Sequence, residues 1–342
     1  MLATGAGFSA DSGLAVYKDV ADVPAYRSKN LTYMDLCVPS WLETDPETFY
    51  GFWGSCFNDY RTTTPHEGYT IVNSWRDKYF SKSEIFDDTF KEHAISLLDS
   101  LESKSEFPRD TVFTPKDLTH LPGPFFVLTS NVDNHSEKAG IPRNSIHQIH
   151  GTTEIWQCSK HCSQHLWRAP KDFTFNVDKE TMLAPTPPQF HTQDEYEKKK
   201  KSGFNSGYPV CINPTCKALA RPSILMFSDV EWVEDSIEGD IFSAWSDSVL
   251  KLLQQNSNRK MVIIEIGCGN RVPTIRYKTE NFLSLEKVHG GQVTLIRVNP
   301  DFPFADNTEH NDKVIPIYEK GLVALKEINK HLERLFSEKL DN

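Results

Sequence analysis

The chain has no long hydrophobic run. Nowhere do apolar residues extend over the roughly 18–20 positions that a membrane-spanning helix needs, and the amino terminus lacks the basic and long apolar regions of a signal peptide. Neither membrane insertion nor a cleaved leader is expected. Positive charge is also scarce, with 37 Lys and Arg against 47 Asp and Glu and a net charge of −10. This balance argues against a nucleic-acid partner, because phosphate binding needs a basic surface. The one local exception, Lys198 to Lys201, reads as a solvated loop. Internal repeats are absent. Cysteine is sparse, seven in 342 residues, and four of the seven fall in two close pairs. That usage fits a reducing compartment in which paired thiols bind metal, so a cytoplasmic protein is expected, with the nucleus as second location.

What is present points to an open parallel sheet. Phe125-Phe126-Val127-Leu128 leads into Thr129-Ser130-Asn131, Met261 to Ile266 leads into Gly267-Cys268-Gly269, and Val293 to Val298 leads into Asn299-Pro300. Each run is short, β-rich and followed by small or polar residues, as in sheets whose ligands bind beyond the carboxyl ends of the strands. Helical periodicity appears over 90–101, 241–253 and 317–335. An aromatic-rich stretch, 31–77, reads as a helical insertion capping the sheet. A polar stretch, 164–209, contains Pro185-Thr186-Pro187-Pro188 and the lysine run, and reads as a flexible excursion.

Four motifs carry chemistry. Gly5-Ala6-Gly7-Phe8-Ser9 with Ser12-Gly13-Leu14 has the glycine spacing of a strand-to-helix turn whose amides approach a pyrophosphate. Only Met1 to Thr4 precede it, a strand so short that it suggests a start further upstream or a truncated form with a weakened sheet. Thr129-Ser130-Asn131-Val132-Asp133 puts an amide able to hold a ribose or a water beside a carboxylate able to accept from a carboxamide; capping a helix is the alternative use. His147-Gln148-Ile149-His150-Gly151 offers His150 as a general base, or as a structural histidine. Cys158 with Cys162, and Cys211 with Cys216, have the spacings of structural zinc sites. Four thiolates would close the tetrahedron and leave no catalytic position. His161 and His165 stand nearby as substitute ligands, and four unrelated buried thiols are the alternative.

In this order along the chain, these motifs resemble the sirtuin family of NAD-dependent protein deacylases. Residues 5–14 look like the family's GAGxS…GI loop, Pro65-His66 loosely like its PNxxH region, and 129–133 like its TQNxD. His150-Gly151 looks like the catalytic HG, and Arg221 to Asp229 like RPxxVxFGE, the segment against which an acyl-lysine peptide lies. Gly267 to Pro273 resembles the GTSLxVxP turn with its proline one place early. The resemblance implies an α/β fold, a Rossmann-like parallel-sheet domain with a small zinc-binding module and a helical insertion. Its expected parts are 1–30, 78–155 and 217–342 for the sheet domain, 31–77 for the insertion and 156–216 for the zinc module.

It also implies a reaction and a role for each matched residue. NAD and Zn2+ are the expected cofactors and acyl-lysine proteins the expected partners, with lysine, nicotinamide and O-acyl-ADP-ribose as products. His150 takes a proton from a ribose hydroxyl and Asn131 positions the ribose or a water. Gly5, Ala6, Gly7, Ser9, Gly13, Tyr17, Lys18, Ser130, Asn131, Asp133, Gly267, Cys268 and Asn299 contact the cofactor; Ile224, Leu225 and Phe227 line the acyl-lysine slot. The chain departs from the family at Ala15-Val16-Tyr17-Lys18, where the family reads PDFR. Lys18 keeps the charge of the arginine and loses its bidentate fork, and Val16 removes a carboxylate. These changes leave open an NAD glycohydrolase, an ADP-ribosyltransferase and a catalytically weak NAD-sensing or scaffold protein.

Overall fold

Six parallel strands form the main sheet: β1 (Leu2–Thr4), β2 (Val127–Thr129), β3 (Ile146–Gln148), β7 (Met261–Ile266), β8 (Val293–Val298) and β9 (Val314–Ile317). They lie in the order β3-β2-β1-β7-β8-β9. This computed structural model describes residues 1–16, 19–80, 82–103, 122–185, 207–216, 218–285 and 292–340. Tyr17, Lys18 and the lysine run lie outside the described residues.

Short as it is, β1 is interior to the sheet. Leu2 pairs with Val127 on one side and Ile264 on the other, and Thr4 pairs with Thr129 and Ile266. Side chains alternate across the sheet, as strand geometry requires. Leu2, Val127 and Ile146 enter one core with Phe8, Tyr69, Trp75 and Leu325. Ala3, Leu128, Ile263 and Leu295 enter the opposite core with Phe126, Ile241 and Trp245. Burial on both faces is why these strands read as continuous apolar runs rather than as an alternating pattern. From β1 the chain builds β2 and β3 to one side and β7, β8 and β9 to the other. The order therefore reverses between β1 and β7, the place where open α/β sheets bind ligands.

The helices expected over 90–101 and 241–253 lie inside Glu84–Ser103 and Ser236–Gln255. The third expectation needs correcting at its start, because Ile317 ends β9 and the helix runs Gly321–Leu340.

A second, antiparallel sheet has the order β5-β4-β6, from Trp167–Arg168, Gly151–Cys158 and Ala220–Ile224. Here two expectations are corrected. The aromatics of 31–77 do not cap the parallel sheet. Phe49, Tyr50, Phe52, Trp53 and Phe57, on helix Pro46–Thr62, pack with Trp156, Trp167, Phe173 and Phe175 in the core of the antiparallel sheet. Only the last helix of that stretch, Glu67–Trp75, turns to the parallel sheet through Tyr69, Ile71, Val72 and Trp75. Nor is the first part of 164–209 a free excursion. Arg61, fixed by a bidentate pair to Glu154 of the neighbouring strand, holds it by donating to the Pro170 and Phe173 carbonyls. Gly51 lies so close beneath it that a Cβ there would meet the Met182 carbonyl at 2.1 Å. Polar composition hid this docking because the contacts come from a few aromatics spaced among charges.

Candidate functional site

The carboxyl ends of neighbouring strands deliver the candidate residues to one edge of the parallel sheet. After β1 comes Gly5, after β2 Ser130, after β3 His150, after β7 Gly267 and after β8 Asn299. The ends of β1 and β2 are tied together side by side. Thr4 Oγ1 donates to Thr129 Oγ1 at 2.8 Å, and the Ser130 N–H donates to the Thr4 carbonyl at 3.1 Å.

Ser9 stands at the centre of this edge. Its hydroxyl donates to Asp133 Oδ2 at 2.5 Å, accepts from Asn131 Nδ2 at 3.0 Å and lies 3.1 Å from the Tyr69 hydroxyl. A hydroxyl has one hydrogen and two lone pairs. Because the hydrogen goes to Asp133, Tyr69 must be the donor, and Ser9 is saturated. Asn131 Nδ2 also donates to the Gly5 carbonyl at 3.0 Å, and Asp133 Oδ1 accepts from the His135 N–H at 2.9 Å. Ser9, Asn131 and Asp133 are all less than a tenth exposed, so this polar cluster is built into the fold rather than solvated.

The glycines of the first loop have a different use from the expected one. Gly5 N–H donates to the Ile266 carbonyl and Gly7 N–H to the Gly267 carbonyl, both at 3.0 Å, so neither amide is a phosphate donor. A Cβ on Gly5 would lie 2.8 Å from Gly267 O, and one on Gly7 2.8 Å from Gly267 Cα. Gly267 itself has φ +66°, and a Cβ on it would meet the Phe8 nitrogen at 2.3 Å. The three glycines let two loops stack backbone on backbone across the reversal between β1 and β7. Gly13 is the contrasting case, with φ +87° and open space where a side chain would be.

His66 locks the same loop from behind. Its Nδ1 accepts from the Gly68 N–H at 2.9 Å, which puts the ring proton on Nε2, donating to the Phe8 carbonyl at 2.8 Å. Burial lowers its pKa, in keeping with a neutral ring.

Two expected cofactor contacts point elsewhere. The Cys268 side chain is buried in the sheet core, with its thiol pushed well up by burial, and only its carbonyl faces the loops. That carbonyl accepts from Asn299 Nδ2 at 2.9 Å, while Asn299 Oδ1 accepts from the Asp301 and Phe302 N–H groups. The Asn299 amide thus shapes its own turn. Beneath it, Arg276 grips Asp306 through two hydrogen bonds and donates to the Phe302 and Phe304 carbonyls. Arg297 reaches Glu265 and Glu280 in the buried layer below. Nothing in the chain's local pattern marks these charges as interior, because isolated Arg and Glu in strands and helices normally face water.

His150 is half-buried between the two sheets. Its carbonyl accepts from the Leu225 N–H at 3.0 Å, and Gly151, at φ +77°, presses on Ser223 so closely that a Cβ would lie 1.8 Å from its carbonyl oxygen. Burial lowers the imidazole pKa, the neighbouring His147 adds to this, and a hydrogen bond to the Ser130 backbone opposes it. The ring is held neutral, the form a general base needs. Alternation along the next segment separates the three expected slot residues. Leu225 is exposed and Phe227 half-buried, whereas Ile224 is 2% exposed and belongs to the core of the small sheet. Ile224 is therefore corrected from slot lining to core.

No protein-family model matches the sequence, and no curated protein matches it. Solved structures do match. One is a Sir2 homologue in complex with NAD, at TM-score 0.50 and 16% identity, covering 98% of this chain and 89% of that one. Another is a triple mutant of a Sir2 homologue in complex with 2'-O-acetyl ADP ribose, at TM-score 0.51 and 16% identity, covering 98% and 92%. The chain has a sirtuin-like fold.

In that fold the four paired cysteines converge. The Sγ atoms of Cys158, Cys162, Cys211 and Cys216 all lie within 4.8 Å of one another, from the end of β4 and the loop before β6. Cys158 and Cys216 are 3.7 Å apart, Cys162 and Cys211 3.5 Å. A tetrahedral ion with metal–sulfur bonds of about 2.3 Å needs sulfur–sulfur edges of about 3.8 Å. Two of the edges are near that value and all lie within 4.8 Å, so the set is placed to hold a metal. His161 instead faces Gln164 and Glu231, and neither it nor His165 joins the cluster.

Proposed function

We propose that this sirtuin-like chain is an NAD-dependent protein-lysine deacylase that releases nicotinamide and O-acyl-ADP-ribose and carries a structural zinc. The observation that carries the reading is the buried Ser9–Asn131–Asp133 cluster at the carboxyl ends of β1 and β2, with a neutral His150 one strand beyond it. The neighbouring structures hold NAD and 2'-O-acetyl ADP ribose, which supports the same chemistry here.

Bound NAD would supply an activated ribosyl carbon with nicotinamide as leaving group. The chain's own residues do the rest. Asp133, fixed by Ser9 and the His135 amide, holds negative charge where a carboxamide N–H can meet it. Asn131, anchored through its amide nitrogen, keeps its carbonyl oxygen for a ribose hydroxyl or a water. His150, kept neutral by burial, accepts the hydroxyl proton. Leu225 and Phe227 offer outward apolar surface beside the edge of β6 for an extended peptide. Gly5, Ala6, Gly7, Gly13, Ser130 and Gly267 form the backbone wall, and Tyr17 and Lys18 belong to the same proposed wall.

Zinc is assigned to the thiolates because four sulfurs at tetrahedral spacing suit it and leave no open coordination position. The site is closed and structural. Cysteines paired for metal rather than for disulfides fit a reducing, cytoplasmic setting. No described helix is long and apolar enough to cross a membrane.

The test is purified protein with NAD and acyl-lysine peptides of increasing acyl length. Nicotinamide release that requires peptide supports the deacylase. Release without peptide would instead favour the glycohydrolase or transferase, and no release with any acyl group would leave an NAD-sensing protein.

A further inference from the structure

The candidate base sits at the end of a strand of only three residues, which cannot by itself hold a side chain in place. What holds it is a buried ion pair absent from every motif above. Glu238, 3% exposed near the start of helix Ser236–Gln255, accepts the Gln148 backbone N–H at 2.9 Å. Its other carboxylate oxygen pairs with Arg143, on the turn Arg143–Ser145 that opens β3. The same guanidinium reaches Gln148 Oε1, and Glu137 and Asp235 stand 3.9 Å from it. His147 stacks on Phe242 of the helix and lies 3.8 Å from Glu238. The cavity beside these groups has a volume of about 10 Å³, room for about one water, so no substrate enters it.

We propose that Arg143 and Glu238 are positioning residues for His150. The pair clamps the carboxyl end of β3, through the Gln148 amide and the Gln148 side chain, two residues before the base. On the far side the Leu225 amide holds the His150 carbonyl and Gly151 abuts Ser223. The His150 backbone is thereby held from before and behind. A helix on the sheet face thus sets the geometry of a group on the sheet edge. The inference rests on the reading of His150 as the base that acts after nicotinamide leaves.

That order of steps separates positioning from mere stability. Removing one partner would strand a buried charge; replacing both avoids that but takes the partners from the Gln148 N–H and Oε1, so each variant is judged only where it folds. The double variant R143M/E238L and the milder R143K, which keeps the charge and loses the fork, are compared with wild type after each is checked for cooperative thermal unfolding. Deacylation turnover should fall about tenfold or more in the double variant and about threefold in R143K, with the peptide-dependent release of nicotinamide in the first turnover staying within about twofold in both. Equal losses of the two rates, or wild-type deacylation in folded R143K, would overturn the proposal. A readout without turnover stands beside these: the His150 imidazole NMR signals, assigned by their loss in H150N, should shift in R143K. Unshifted signals overturn the proposal, whereas a shift in a protein that releases no nicotinamide upholds the clamp and refutes the deacylase reading.

Discussion

Ser9 and Asp133 stand 124 positions apart in the chain and share a 2.5 Å hydrogen bond. It joins the loop after β1 to the loop after β2, and its ionised acceptor makes it stronger than a neutral pair. Around it Asn131 and Tyr69 donate to the same oxygen, so one hydroxyl organises three partners.

Ser9→Ala should therefore do more than remove a methylene-sized polar contact. It leaves the Asn131 amide, the Tyr69 hydroxyl and one Asp133 oxygen short of a partner in a buried place, at a cost of about 1–3 kcal/mol. Thermal unfolding should record that loss, and calorimetry with NAD should show affinity weakened about tenfold or more. Wild-type affinity in a folded S9A protein would contradict the role given to the cluster.

The stacked loops predict a contrast between glycines. Gly267→Ala forces a Cβ into the Phe8 nitrogen at 2.3 Å and adds the strain of φ +66°, so NAD binding and stability should both fall, the latter by about 3 kcal/mol or more. Gly13→Ala meets nothing within 4 Å and should cost only the backbone term, about 1 kcal/mol. Equal effects in unfolding curves of the two variants would contradict the packing account.

These glycines also mark how far the sequence could be read. The motif 5–14 pointed to the edge of the sheet where the candidate residues gather, because a glycine pair after an apolar strand is a local signal. The partner of that pair was not legible, since Gly267 is distant in the chain and nothing local says that two loops will stack. The same holds for Cys268 and Ile224, which sit within the right motifs but turn inward, because a side chain's face depends on register. The convergence of the four cysteines was legible, because two close pairs are a local signal of one cluster, whereas four unrelated thiols remained the alternative until the fold brought them together. Glu238 and Arg143 carried no signal at all, being ordinary charged residues until the helix brings them against β3.

Metal removal should expose a specific set of thiols. Burial pushes Cys37 up to about 11 and Cys56 up to about 12, and Cys268 well above its ordinary value. Those thiols should stay unreactive in the folded protein. A strong chelator should release about one zinc per chain and make the four clustered cysteines reactive, with the other three reacting only on unfolding. Reactivity that does not change with chelator would contradict a metal at this site.

Asp235 gives a pH prediction of definite sign. Burial and the neighbouring Glu238 raise its pKa from 3.8 to about 6. The folded state then binds more protons than the unfolded one between those values, so stability falls as pH rises through that window. Asp235→Asn keeps the oxygen that accepts from the Ile237 N–H and removes the charge. It should raise stability near neutral pH by about 1–2 kcal/mol and lose that gain below the ordinary aspartate pKa. Denaturant melts at the two pH values check it, and a neutral-pH loss of stability would contradict it.

The most direct measurement is the mass of the nucleotide formed when the protein turns over NAD with an acyl-lysine peptide. The account predicts ADP-ribose carrying the acyl group in wild type, and its loss in His150→Ala while the peptide-dependent first-turnover release of nicotinamide persists. Unmodified ADP-ribose as the sole product, or the acylated product undiminished in the His150 variant, would contradict it.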